Sequence, residues 1–364
     1  MRILEIAPPY KALSTDSYGG IERVVLSRSK ALSKLGHEVT ILGPVTGSLP
    51  GLKVLPFKAI GSYGPTNSTT ALHWIATSKS VAYMKPYVLS LRGIDRDYDV
   101  VLNDALRYEP WTGLVFLTAV NQDHAVHILH ANFVLEGRLR RLLDCHYSRF
   151  QFGILSTGQL LLARSLGYKC SYTPNGIEAP ARSDVVQNPA PYLISMGRID
   201  EFKAPHLAIE IADRLQMPLK IVGPIRSPTY YHQEIEPRLS PRIQVLGEVP
   251  RYELVENLRK ATALVFTSQF EDAQPAVLQE ALSYGVPILG FTSSRAGGFQ
   301  DIVIDHQNGI RISNLDDLAD GFKELVRLDR LDISEQTALK WSWDAVVTQH
   351  FQPLLGRLQS QGRQ

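Results

Sequence analysis

Residues 192–222 read YLISMGRIDEFKAPHLAIEIADRLQMPLKIV, and this stretch decides the fold. Tyr192–Met196 is a short apolar run of strand length. Gly197, Arg198 and Lys203 then mark a turn, and a helical pattern runs from Pro205 to Leu215. Leu219–Val222 is a second strand. Strand, helix, strand in so short a span predicts a βαβ unit and a parallel sheet.

The alternation continues on both sides. Toward the C-terminus come strand Ile243–Leu246, helix Tyr252–Lys260, strand Leu264–Thr267, helix Ala276–Ser283, strand Pro287–Phe291 and helix Asp316–Leu328. Toward the N-terminus, Arg2–Ala7 is a strand, followed by a loop ending in Tyr18-Gly19-Gly20. Ile21, Val24, Val25, Ala31, Leu32 and Leu35 then fall at helix spacing, and Gly36 is a good stop. Val39–Leu42 completes a second βαβ unit, with further strands at Leu52–Leu55, Val100–Leu102, Leu114–Val120 and Val126–His130. Gly61–Thr70 reads as a polar surface loop, and 71–93 as broken helix. The chain therefore predicts two α/β domains, each a doubly wound parallel sheet. The polar, proline-bearing run Ala179–Pro191 is the expected linker, giving domains 1–178 and 179–340 and a terminal segment 341–364. Such sheets bind ligands at the carboxyl ends of their strands. Two of them face to face would put a cleft between the halves.

Bulk composition narrows the classes. A chain of 364 residues exceeds what one core usually supports. A net charge of +2, with no Lys/Arg stripe interleaved with aromatics, argues against a nucleic-acid binder. No apolar run reaches the length of a membrane span, and peripheral membrane contact is left open. The start, Met1-Arg2-Ile3-Leu4-Glu5-Ile6, carries an acid inside an apolar run and reads as a strand, not a signal peptide. Two cysteines, Cys145 and Cys170, make no disulfide scaffold, so the expectation is a soluble cytoplasmic protein of unknown oligomeric state.

Several residues could carry chemistry. Gly19-Gly20 before the first helix would let backbone N–H groups approach an anion, and the same pair also makes a plain turn. It lacks the G-x-G-x-x-G spacing of a dinucleotide site. Arg198 and Lys203, beside a helix N-terminus, suit a diphosphate, although loop cations are commonly just solvated. Asp272 and Glu280 span a loop-to-helix junction, with Pro275 in the first helical turn. They suit acceptors for sugar and ribose hydroxyls better than a glycosidase pair, whose carboxyls lie about 5–9.5 Å apart. His130 ends an apolar strand and points toward the expected cleft. His124 and His127 lie nearby, but His127 and His130 face opposite sides of a strand, so no metal site is expected. Asp95-Arg96-Asp97 looks like a D-x-D pair, and a solvated turn is its plainer reading.

Taken in order, these pieces resemble the retaining glycosyltransferases of the GT-B fold, family 4. Gly19-Gly20-Ile21-Glu22 resembles the family's Gly-Gly loop, and His130 the histidine closing its T-x-H strand. Thr173-Pro174-Asn175-Gly176-Ile177-Glu178 is similar to its P-N-G-I-D junction. Gly197-Arg198 with Lys203 resembles G-R-x4-K, and Asp272 to Glu280 resembles E-x7-E, with Gly285-Val286-Pro287 as its G-x-P. Gly297-Gly298, Asp301, Asp305 and Gly309 follow the spacing of a further glycine-rich segment. Trp341-Ser342-Trp343-Asp344 resembles the F-S-W-E helix that crosses back onto the first domain.

The resemblance implies a metal-independent hexosyltransferase of carbohydrate biosynthesis, with no cofactor beyond a nucleotide-sugar co-substrate, a UDP-sugar or GDP-sugar. A sugar, glycan or small molecule would be the acceptor. It further implies that Arg198 and Lys203 meet the diphosphate and Glu280 the ribose. Asp272 and the stretch Ala273, Gln274, Ala276 and Val277 would meet the sugar, which His130 contacts from the first domain. The base would lie against Glu248-Val249-Pro250. Three departures stand out: Asp272 replaces a glutamate, Gln274-Pro275 replaces Phe-Gly, and Ala204-Pro205 replaces the glycine after the lysine. Those around Asp272 motivate one alternative, a non-catalytic sugar-nucleotide binder of the same fold. A phosphorylase or sucrose-synthase-like enzyme is a further one.

Overall fold

The computed structural model describes residues 1–8, 12–14, 20–56, 93–105, 122–130, 150–269, 272–291 and 297–361. It divides into two units, Met1–Gly176 with Trp343–Gln364, and Ile177–Ser342. The expected strand at 114–120, the loop at 61–70, nearly all of the broken helix at 71–93, and Gly19 lie outside the described residues.

The first unit holds β1 (Arg2–Ile6), α1 (Gly20–Lys34), β2 (Glu38–Gly43), β3 (Lys53–Pro56), β4 (Val100–Asn103), β5 (Ala125–Leu129), β6 (Gln151–Ile154), α2 (Thr157–Ser165) and β7 (Lys169–Tyr172). Its strands run in the order β3-β2-β1-β4-β5-β6-β7, all parallel. Every residue of β4 is buried, as befits a parallel strand covered on both faces. The order reverses direction between β1 and β4, so their carboxyl ends form the topological switch point where such sheets take ligands.

The second unit holds β8 (Leu193–Met196), α3 (Pro205–Leu215), β9 (Leu219–Val222), β10 (Ile243–Gly247), α4 (Arg251–Lys260), β11 (Ala263–Phe266), α5 (Ala276–Ser283), β12 (Ile288–Phe291), α6 (Gly297–Ile302), β13 (Gly309–Ile312), α7 (Leu318–Leu325) and α8 (Arg330–Trp341). Its order is β10-β9-β8-β11-β12-β13, again all parallel, with the switch point between β8 and β11. On one face of the sheet, a core that includes Leu193, Ile209, Ile221, Val265 and Leu289 packs it against α3 and α7.

Six of these elements escape the sequence pattern: β6, α2, β7, α6, β13 and α8. In β6, Gln151-Phe152-Gly153-Ile154 has too few apolar residues to stand out. Gly153 is needed because a Cβ there would meet Thr173 Oγ1 at 2.5 Å. The expected helix 316–328 shortens to α7, because Asn314 Oδ1 accepts from the amides of Asp316 and Asp317 and holds a turn there.

The run 179–191, expected as a linker, is bonded into the second unit. Ala190 N donates to Lys260 O at 2.8 Å, Thr262 Oγ1 donates to Ala190 O at 2.9 Å, and Val185 is buried. The chain passes between units at 176/177 and 342/343 instead. After the second passage come α9 (Trp343–Val346), a wide turn and α10 (Gln352–Gln361), all grouped with the first unit. Buried Trp343 fills the space that a Cβ on Gly176 would need, 2.6 Å away.

Candidate functional site

The second unit builds its site at the carboxyl ends of β8 and β11. Gly197 and Gly223 end β8 and β9 with φ of +148° and +145°. A Cβ on Gly223 would meet Gly197 O at 1.9 Å, so only glycine lets these strand ends close up. Arg198 follows, about half exposed, with its Nε 3.3 Å from Asp200 Oδ2. Asp200 Oδ1 also accepts from Lys203 N at 2.9 Å and shapes the turn. Thr267 Oγ1 donates to Lys203 O and Ala204 O, both at 3.1 Å, tying that turn to β11. Together Gly197, Arg198, Lys203, Thr267 and Ser268 line a small recess.

Lys203 Nζ donates to Asp272 Oδ2 and lies 3.4 Å from Ser268 Oγ, which itself donates to Asp272 Oδ2 at 3.2 Å. The structure thus brings together three expected residues, Arg198, Lys203 and Asp272, and adds Ser268. The Asp272 loop rests on α6. Gly298 N donates to Asp272 O at 3.3 Å, and a Cβ on Gly298 would strike Ala273 O at 2.5 Å. This close approach is the physical reason for the second glycine of Gly297-Gly298.

Ala273 and Gln274 turn their side chains inward, Ala276 is exposed and Val277 half-buried, so this stretch can offer a ligand mainly its backbone. Pro275 was expected in the first helical turn. It is the N-cap of α5, with ψ of 105°, and the helix starts at Ala276. Glu280, one turn into α5, ion-pairs with Arg251, the first residue of α4. Arg251 escaped the sequence reading, although it directly follows the Glu248-Val249-Pro250 loop. Val249 itself is buried.

Ala204 has φ 48° and ψ 49°, left-handed backbone, in a position with no exposed surface. A side chain there costs about 1–2 kcal/mol, and Pro205 restricts the residue before it further. The departure from glycine at this position is therefore strained.

The first unit has its own polar cluster. His130 Nε2 lies 2.6 Å from Asp104 Oδ1, with the His130 side chain only 4% exposed. Asp104 also accepts from Arg28 Nη2, and Arg28 holds Glu5 through Nε at 3.0 Å and Nη2 at 3.1 Å. Burial alone would raise Asp104, but Arg28 and the His130 hydrogen bond outweigh it and hold the carboxyl below its ordinary range. Burial dominates at Glu5 and raises it despite Arg28. Sequence reasoning missed this set, although a signal existed. Glu5 interrupts an apolar strand, and Arg28 falls on the apolar stripe between Val24, Val25 and Ala31, Leu32.

His127 does face away from His130. It is wholly buried beside Phe150 and Phe152, with Asn103 Nδ2 3.0 Å from its Nδ1. Burial pushes it down to about 3. Asp95 departs from the solvated turn expected for 95–97: it is buried, with His124 Nε2 3.5 Å from Oδ2, whereas Asp97 is exposed. Among the described residues no three His, Cys, Asp or Glu side chains gather as metal ligands, and no helix is long and apolar enough to cross a membrane. Gly20 opens α1 on the surface, and nothing lies within 4 Å of where its Cβ would be.

Residues 181–339 match the family described as glycosyl transferases group 1. No curated protein matches the sequence. Solved structures share the fold across both units. Sucrose-phosphate synthase from Thermosynechococcus elongatus is 16% identical over 99% of each chain, with a TM-score of 0.71. Anabaena HepE in complex with UDP and glucose is 16% identical over 98% of this chain and 100% of its own, at 0.69. AviGT4, a glycosyltransferase involved in avilamycin A biosynthesis, is 18% identical over 99% and 98%, at 0.67. The fold is GT-B, two Rossmann-like domains, and the family match over the second of them supports a glycosyltransferase.

Proposed function

We propose that this chain is a retaining, metal-independent family 4 glycosyltransferase that works in the cytoplasm and moves a hexose from a nucleotide sugar to a sugar, glycan or small-molecule acceptor. The observation that carries the reading is the convergence of Arg198, Lys203, Ser268 and Asp272 at the β8/β11 switch point, inside the matched residues. Arg198 and Lys203 take the charge that develops on the leaving diphosphate, a role typically worth ~2.7–4 kcal/mol of barrier. Glu280 accepts from the ribose, Val249 flanks the base, and Gly19-Gly20 receives an anionic group. Asp272 and the amides of residues 273–277 hold the transferred sugar, which His130 also contacts. The leaving phosphate takes the acceptor's proton on the same face, which retains configuration without an enzymic nucleophile. UDP leads the list of nucleotides because Anabaena HepE was solved with it.

The test is a thermal-shift screen of purified protein against UDP-, GDP- and ADP-sugars, followed by donor turnover with and without EDTA. Stabilisation by one nucleotide class and EDTA-resistant turnover with retention are expected. Binding without hydrolysis or transfer would favour the non-catalytic binder that Asp272 and Pro275 motivate, and Mg²⁺-dependent turnover would overturn metal independence.

A further inference from the structure

Glu5, Leu102 and Val126 are lateral neighbours through the β1–β4 and β4–β5 registers, so Glu5, Asp104 and His130 fall on one sheet face by alternation. Helix α1 reaches that face through Arg28, whose guanidinium sits 5.3 Å from the Phe351 ring centre. Glu5, Asp104 and Arg28 are each at most 1% exposed. A buried ion cluster is a poor source of stability, since apolar residues of equal volume often do as well. What this one does achieve is orientation. Glu5 grips Arg28 through both carboxylate oxygens, Arg28 pins Asp104, and Asp104 takes the Nε2 edge of His130.

We propose that Asp104 is a positioning residue for His130. It keeps the ring proton on Nε2 and leaves Nδ1 a hydrogen-bond acceptor, the state in which His130 would accept from a hydroxyl of the transferred sugar. Arg28 and Glu5 hold Asp104 in place and touch no ligand. The proposal rests on the assignment of His130 to the sugar, and it goes beyond that assignment by naming the working nitrogen and the chain of residues that selects it.

The test combines ¹⁵N-imidazole NMR of the full chain at pH 8 with kinetics. The His130 signal is identified by its loss in His130→Gln. The wild type should show protonated Nε2 and bare Nδ1, and Asp104→Asn should convert this to a mixture of tautomers. Asp104→Asn should also lower kcat for transfer at least tenfold, with affinity for the bare nucleoside diphosphate within twofold. Adding His130→Gln to it should cost little more. A proton on Nδ1 in the wild type, or unchanged kcat in Asp104→Asn, overturns the proposal. If Asp104→Asn does not fold, the wild-type tautomer decides alone. A wild type that binds no nucleotide and transfers no sugar refutes the glycosyltransferase reading instead, and the ring tautomer still judges this one.

Discussion

Lys203 and Asp272, 69 residues apart, form an ion pair at the β8/β11 switch point, so the cation proposed for the diphosphate is already holding a carboxylate. A phosphate oxygen must compete with Asp272 for it. Asp272→Asn should therefore tighten binding of bare nucleoside diphosphate, by about two- to fivefold for a partly exposed pair. Lys203→Ala should lower turnover at least ~100-fold. Calorimetric titration and steady-state kinetics read both. Wild-type affinity in Asp272→Asn and wild-type turnover in Lys203→Ala would together remove the diphosphate role.

Glu280 is more sheltered than its partner Arg251, with side chains 18% and 43% exposed. Losing a charged acceptor for ribose hydroxyls costs ~1.5–3 kcal/mol, so Glu280→Ala should weaken every donor and the bare nucleotide roughly ten- to a hundredfold. Arg251→Ala should shift the same affinities less than about fivefold, because an exposed pair contributes little. A reversed ranking would move the nucleotide contact from α5 to α4.

The left-handed Ala204 gives a stability prediction. Ala204→Gly relieves ~1–2 kcal/mol of strain and returns about 0.5–1 kcal/mol through the greater entropy of the unfolded chain. Net stabilisation of up to about 1.5 kcal/mol is expected in denaturant titration. Ala204→Val should destabilise by more than ~2 kcal/mol, since a β-branched residue fits left-handed backbone worst. A valine variant as stable as wild type would show that the turn relaxes to another conformation.

His127 predicts acid sensitivity. Its folded value, about 3, lies below the ordinary 6.5, so the unfolded chain binds the proton first as pH falls. The associated stability is complete above about pH 6.5 and is lost progressively down to about pH 3, at up to ~1.4 kcal/mol per pH unit. Unfolding measured at pH 7.5 and pH 5 should differ less in His127→Gln than in wild type. Equal slopes would exclude His127 as the source.

Apolar periodicity made β8, α3, β9, β11, α5 and β12 legible, because each is long and apolar enough to show its own repeat. It missed β6 and β7, where Gln151, Gly153, Lys169 and Ser171 dilute the signal. Those strands form because the neighbouring strand is already there to pair with, and single-strand patterns do not record that. At the candidate site, Arg198, Lys203, Asp272 and Glu280 were read from the sequence because each lies in a strand-to-helix connection or one turn into the helix that follows it. Their partners Ser268 and Arg251 were not.

The sequence by itself determined the alternation of strand and helix, the two parallel sheets, and the strand ends at which a ligand would bind. These follow from interactions within a few residues along the chain. The tertiary structure decided which charges meet. Glu5, Arg28, Asp104 and His130 belong to four separate segments, and only the β1–β4–β5 order, the register and the reach of Arg28 from α1 bring them together. Strand order and register are chosen by burial of the whole sheet, a collective property that no local stretch of the chain encodes.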